Sequence, residues 1–408
     1  MKSEIKSAII IGIIVVGAIG AKGAYFNSLE MSNPASTPIQ PNNIQVTTNE
    51  TVQPIGNTST VKPIANTPTL PPIDESHNFK APDLAGISGY INTTPEDLKN
   101  AMKNKVVLYD FWTYSCINCI RTLPYITAWN EKYADKGLLI IGVHSPEFEF
   151  EKDINNVKLA VQKFGIKYPV VLDSNHQTWA AFGNQYWPRE YITDYQGYIR
   201  HDHIGEGNYD ETEKVIQQLL DERNKHLGLN MQTDQSLVNI PEYQFSNTQT
   251  PELYFGYDFV EGRNYLGNSE GFQPSQTVTY SLPAQQNRDN YYLDGKWQNL
   301  PDSMKLVSDN GKIVLSYFAK SVHIVAANNS TLQILLDGNT IKPADSGDDV
   351  QNATVHILEN RLYNVVSTSQ AGPHTLTIIA KPGFQIYTFT FGWQYSKIIF
   401  LNSNLETL

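Results

Sequence analysis

The chain has 408 residues and a formal net charge of −11, from 30 Lys and Arg against 41 Asp and Glu. That balance argues against a nucleic-acid partner and keeps the surface soluble. The length predicts two domains plus a tail, and two cysteines in such a chain exclude a disulfide-stapled secreted scaffold.

Lys2 and Lys6 precede an apolar run from Ala8 to Ala21. Extended past Lys22 to Phe26, the run reaches about 19 residues, enough to span a bilayer if Lys22 snorkels. Residues 1–26 are therefore read as a membrane anchor with a cytoplasmic N-terminus, in preference to a signal segment cleaved near Ala18 or Ala21. Residues 27–73 hold NPASTPIQPNN and ANTPTLPP, almost without charge. They cannot bury a core and read as a semi-extended linker.

The first folded domain is placed at 74–225. Thr93 or Thr94 with Pro95 and Glu96 opens a short helix ending at Met102. Residues 106–111 form a buried strand, and 117–133 form a helix in which Pro124 removes an N–H. Residues 138–144 are the next strand, 153–164 an amphipathic helix, 168–172 a strand and 178–182 a short helix. Residues 191–194 and 198–203 flank Tyr195-Gln196-Gly197 as a hairpin, and 211–222 close the domain as a helix. That order predicts a three-layer α/β/α sheet.

Residues 226–249 read as an interdomain linker. In 250–393 helical periodicity gives way to short alternating runs at 277–280, 312–319, 322–327, 331–336, 364–369, 374–380 and 385–391. About eight antiparallel strands of this kind predict a β-sandwich or jelly roll. Trp297, Tyr291, Tyr292 and Tyr254 are its candidates for stacking on a sugar ring; packing aromatics and a protein-docking surface are the competing readings. Residues 394–408 read as a loose tail.

The chemistry concentrates in VVLYDFWTYSCINCIRTLP, where a strand leads through a short turn into a helix and both cysteines, Cys116 and Cys119, lie at the helix start. A helix N-terminus favours a thiolate over a thiol. Cys116 is the expected attacking thiol. Cys119, one turn on and on the same side, is the expected resolving thiol. A zinc set would have to draw on His144, His176, His201 or His203, the last two sharing one face of a strand; the flanks favour the redox reading over zinc or a structural disulfide.

YDFWTYSCINC followed by Pro124 resembles the thioredoxin superfamily, most nearly its extracytoplasmic TlpA and DipZ-type members. GLLIIGVHSPEFEF, YPVVLD and TWAAFGNQYWPREYITDYQGYIRHDHIGEG carry the resemblance on, over about 84–391. It implies a thioredoxin-like domain followed by a sandwich similar to a carbohydrate-binding module. It implies that Asp110 lies under the disulfide and relays a proton to the second thiol. Pro188 would be a cis-proline facing the cysteines, next to Trp187. Trp112 would wall the disulfide, with Tyr114 and Pro124 as further supporting residues. Glu147 and Glu149 are read as loop acids at the rim.

The expected function is an extracytoplasmic, membrane-tethered thiol–disulfide oxidoreductase, by resemblance a reductase. It would use the Cys116–Cys119 disulfide with no other cofactor and no metal. Its partners would be protein thiols and disulfides, a membrane electron donor of the CcdA/DsbD type, and envelope carbohydrate. The alternatives are a thiol peroxidase, whose Pro-x-x-x-Thr-x-x-Cys context is absent, and a binding protein with a redox-inactive platform.

Overall fold

The computed structural model describes residues 79–391. The expected anchor at 1–26, the linker at 27–73 and the tail at 394–408 lie outside the described residues. Among the described residues no helix is long and apolar enough to cross a membrane.

The first domain is built on Val106–Trp112 (β2), which is buried at every position. A strand covered by helices on both faces reads as such a continuous apolar run. β2 pairs in parallel with Leu138–His144 (β3), which pairs in parallel with Val170–Leu172 (β4). On its other side β2 meets Arg189–Thr193 (β5) antiparallel, and β5 meets Ile199–Ile204 (β6) in the expected hairpin. A strand the sequence did not reveal, Gly89–Ile91 (β1), edges the sheet against β4, giving the order β1-β4-β3-β2-β5-β6.

The helices are Pro95–Ala101 (α1), Ile117–Tyr133 (α2), Ile154–Lys163 (α3), Gln177–Ala181 (α4) and Tyr209–His226 (α5). Thr94 caps α1 by accepting from Asp97 N, with Pro95 in the first turn where its missing N–H costs nothing. Asp153 caps α3 in the same way, accepting from Asn155 N. Because strand side chains alternate, Leu108 and Trp112 join Leu123 and Trp129 of α2 and Leu219 of α5, while Tyr109 and Phe111 meet Leu98, Trp179 and Phe182 on the other face. The domain is thus the three-layer thioredoxin-like arrangement.

Residues 227–252 contain no regular element, but they are tied to the domain they leave. Val238 N donates to Glu213 Oε2 at 2.9 Å, Tyr133 Oη donates to Glu213 Oε1 at 2.6 Å, and Arg121 lies 3.7 Å over the Tyr243 ring.

The second domain is all β. Its strands are Leu253–Tyr254 (β7), Thr277–Tyr280 (β8), Tyr291–Asn299 (β9), Met304–Leu306 (β10), Gly311–Ala327 (β11), Ser330–Leu336 (β12), Asn339–Thr340 (β13), Thr354–Ile357 (β14), Arg361–Ala380 (β15) and Gln385–Thr390 (β16). The first part of β11 pairs with β9 and the last with β16, while β10 joins β9 to β16. β9, β10, β16 and β11 therefore close a circuit around one core.

That core overturns the sugar-stacking expectation for the aromatics. Trp297 and Tyr291 are 0% exposed, Tyr292 3% and Tyr254 5%. Trp297 Nε1 donates to Asp294 O, Tyr291 Oη donates to Tyr254 O, and Tyr292 Oη accepts from Asn287 N. Trp297, Tyr291 and Tyr292 are taken up in the core and leave no ring for a sugar, while Tyr254, buried as well, borders the cavity described below.

Candidate active site

β2 ends at Trp112, and the chain turns through Thr113, Tyr114 and Ser115 into α2. Cys116 is the helix cap, its Sγ accepting from Cys119 N at 3.4 Å. Cys116 is half-buried, whereas Cys119 is 1% exposed. Burial pushes the Cys119 thiol well up, with Cys116 and the charge of Asp110 adding to it. A reagent in solution therefore meets Cys116 first.

The turn is fixed by Glu151, which is wholly buried and was not singled out from sequence. Its Oε1 accepts from Thr113 Oγ1 and Ser115 Oγ, each at 2.6 Å, and its Oε2 accepts from Glu147 N at 2.6 Å and Phe148 N at 2.9 Å. One carboxylate thus binds the cysteine turn to the loop after β3. Beside the turn, Trp112 lies edge-on to His144 at 5.3 Å and Tyr114 stacks on the same ring at 5.6 Å. Burial pushes His144 down to about 3, so its imidazole is neutral.

Asp110 stands in β2 beneath the cysteines, 1% exposed, with its Oδ2 unpartnered among the described residues. Burial pushes its carboxyl up to about 7. The Trp187–Pro188 peptide is cis. Trp187 Nε1 donates to Ser145 O at 3.0 Å, and Pro188 O accepts from Gly205 N at 2.9 Å, which anchors this loop on both sides. Pro124 lies exposed within α2, away from the cysteines.

Cys116 and Trp187 line one cavity of about 620 Å³. Its opposite wall comes from the β domain, through Tyr254, Arg263, Val325 and Thr388. Tyr254 Oη lies 2.6 Å from Glu147 Oε1 and 3.0 Å from Glu252 Oε2. Burial and then the neighbouring Glu252 raise the Glu147 carboxyl, and burial raises Glu252. Glu149, by contrast, is exposed at the surface. The domains are joined beside the cavity by Phe148 and Phe150 on Tyr387, at 5.1 and 4.7 Å, and by Glu149 N donating to Asp302 Oδ2 at 3.1 Å.

Residues 78–220 match the Redoxin family, and residues 250–392 match the family described as thioredoxin like C-terminal domain. The thiol-disulfide oxidoreductase YkuV of Bacillus subtilis is 32% identical over 143 residues, which are 35% of this chain and 94% of YkuV. The chain belongs to the thioredoxin-like thiol–disulfide oxidoreductases. Protein DipZ of Mycobacterium tuberculosis is 36% identical over 315 residues, 76% of this chain but 43% of DipZ, so the chain spans less than half the length of that relative. Among solved structures, a thioredoxin-like protein in its oxidized form covers 36% of this chain and 97% of its own, at 31% identity and a TM-score of 0.32. A thiol-disulfide isomerase from Corynebacterium glutamicum covers 34% and 96%, at 21% identity and 0.31.

In this thioredoxin-like oxidoreductase the sequence-predicted residues Cys116, Cys119, Asp110, Trp112, Tyr114, Trp187 and Pro188 lie around one strand–turn–helix. Sequence reasoning missed Glu151, Glu190, Glu252 and Arg263, and it singled out Tyr254 only as a sugar-stacking candidate, not as part of this wall. Glu190, two residues past Pro188, carried no local signal, because Arg189 stands directly before it and Thr193 closes the strand, whereas Asp110 is the one charged residue of an apolar run.

Proposed function

We propose that the chain reduces protein disulfides outside the cytoplasm, by thiol–disulfide exchange at Cys116 and Cys119. The observation that carries this reading is the half-exposed Cys116 capping α2, with Cys119 and Asp110 buried beneath it and the Pro188 loop alongside. The Cys116 thiolate attacks one substrate sulfur, forming a mixed disulfide and releasing the other substrate sulfur as a thiolate. Cys119 then gives its proton to Asp110 and attacks Cys116 Sγ. The Cys116–Cys119 disulfide forms and the second substrate thiolate leaves. The substrate gains two electrons and the protein loses two. The couple itself is the only redox group this cycle requires. A membrane dithiol donor of the CcdA/DsbD type would restore it, and the apolar segment after Lys2 and Lys6 would hold the chain at that membrane.

Replacing Cys119 with Ser should trap a mixed disulfide on Cys116, and trapping on the other cysteine in the reciprocal variant would reverse the roles. The direction follows from the reduction potential of the couple in thiol buffers: about −270 mV makes the protein a reductase and about −120 mV an oxidant. Thiols that pair in no buffer would sink the reading. Membrane fractionation of the full chain against residues 27–408 tests the tether.

A further inference from the structure

We infer that Glu190 and His203 extend the acid beneath the cysteines into a proton route along one rung of the sheet, from Cys119 through Asp110 to the edge strand β6. The inference rests on the exchange chemistry proposed above and adds two residues to it. The register places Asp110 opposite Glu190 on β5, and Glu190 opposite His203 on β6. Directly opposed residues of antiparallel strands point to the same face, with Cβ atoms about 4.5–5.5 Å apart. Three ionisable side chains therefore stand in a row on the face covered by α2 and α5, and the row ends at the sheet edge.

Exposure along the row is 1% at Asp110, 0% at Glu190 and 9% at His203, so it opens only at its outer end. Asp110 Oδ2, both carboxyl oxygens of Glu190 and His203 Nε2 have no hydrogen-bond partner among the described residues. Buried polar groups left this way are costly, and a run of several pointing along one line calls for a reason. Two buried carboxyls face to face resist being ionised together, so each makes the other hold its proton longer. Burial, then the charge of Asp110, raises the Glu190 carboxyl, and burial lowers His203, leaving a neutral imidazole able to accept. The other groups on the side of the row are Cys119 on α2, Tyr168 ahead of β4, Tyr209 and Glu211 on α5, and His201 on β6, whose ring stacks on His203 at 6.5 Å; Asp202 lies between the two histidines on the opposite face, paired with Arg189. Glu206, near Tyr209, is held by Arg121 at 3.5 Å.

When Cys119 closes on Cys116, its S–H bond breaks and its proton passes to the Asp110 carboxylate. Asp110 yields a proton to Glu190, and Glu190 to His203, which releases it to water at the edge. A rotamer change or one bridging water spans each gap. The same row runs inward when the disulfide is reduced.

Both cysteine steps can be read in one trace with Ellman's reagent on the full chain. Attack by Cys116 releases the first thionitrobenzoate, and closure by Cys119 releases the second. Glu190→Gln should lower the ratio of second to first rate by about tenfold or more at neutral pH, in the range of general acid–base effects. It should also remove one ionisation from the pH profile of the second release. Glu190→Asp, which keeps the acid, should recover most of the ratio. His203→Gln should slow the second release, and added imidazole should restore it. A ratio and pH profile that match the unaltered protein in Glu190→Gln would overturn the route, as would a loss that Glu190→Asp does not repair while the melting midpoint falls equally in both variants. Absence of any second release in the unaltered protein would instead sink the exchange chemistry itself.

Discussion

Asp110 is an acid that folding keeps protonated up to about neutral pH. An unfolded aspartic acid ionises near pH 4, whereas burial holds this one up to about 7. Between those values unfolding releases a proton, so the group's contribution to stability falls as pH rises through that window. Three units at 1.36 kcal/mol each give a cost of about 4 kcal/mol above neutrality. Asp110→Asn should therefore raise the melting midpoint at pH 8, leave it nearly unmoved at pH 4, and slow closure by Cys119; equal shifts at both pH values would contradict this. Burial raises the Glu151 carboxyl too, but there the hydrogen bonds it accepts from Ser115, Thr113, Phe148 and Glu147 oppose the rise. A glutamine there turns an N–H₂ towards donors, and Glu151→Gln should cost about 2–3 kcal/mol in denaturant titration. The cysteines and Asp110 were legible because their spacing or their setting in an apolar run is visible locally. Glu151 was not, because its partners lie up to 38 positions away and only folding brings them together.

α2 was predicted at 117–133 and is observed at Ile117–Tyr133, with Cys116 as its cap. It runs through Pro124, whose ring lacks the N–H that the helix would use. Since Pro124 is exposed and touches none of the cysteine machinery, Pro124→Ala should stabilise the domain by about 1–3 kcal/mol in urea unfolding. The β domain was legible in class but not in element lengths. β11 was read as two strands because its path shifts register between Ala319 and Ser321. β15 was also read as two, because Gln370-Ala371-Gly372-Pro373 has the composition of a turn; the strand instead continues, with Gly372 opposite Ala319. β9 was not among the predicted strands. Its Gly295 takes φ +104° within the strand, where a Cβ would lie 2.8 Å from Ser308 Oγ. Pairing with Tyr280 on β8 carries the strand through that glycine.

The two domains form one body because Phe148 is wholly buried against Tyr254, Phe259 and Tyr387. Phe148→Ala should cost about 3–5 kcal/mol and split a single calorimetric transition into two. A single transition merely shifted down would place the coupling elsewhere, in Glu149 and Asp302 or in the strap at 227–252. No local pattern announced this seam, because each of its residues reads as ordinary core within its own domain.

The cavity over Cys116 divides two tasks between distant parts of the chain. Its thiols belong to the strand–turn–helix, while Tyr254, Arg263 and Thr388 belong to the β domain, and Tyr254 meets Glu147 across 107 positions of sequence. In the proposed exchange, electron transfer would fall to the first domain and contact with the incoming substrate would fall in part to the second. Substitutions at Arg263 or Thr388 would then redraw that wall from the far domain while leaving the two cysteines and their turn as they are.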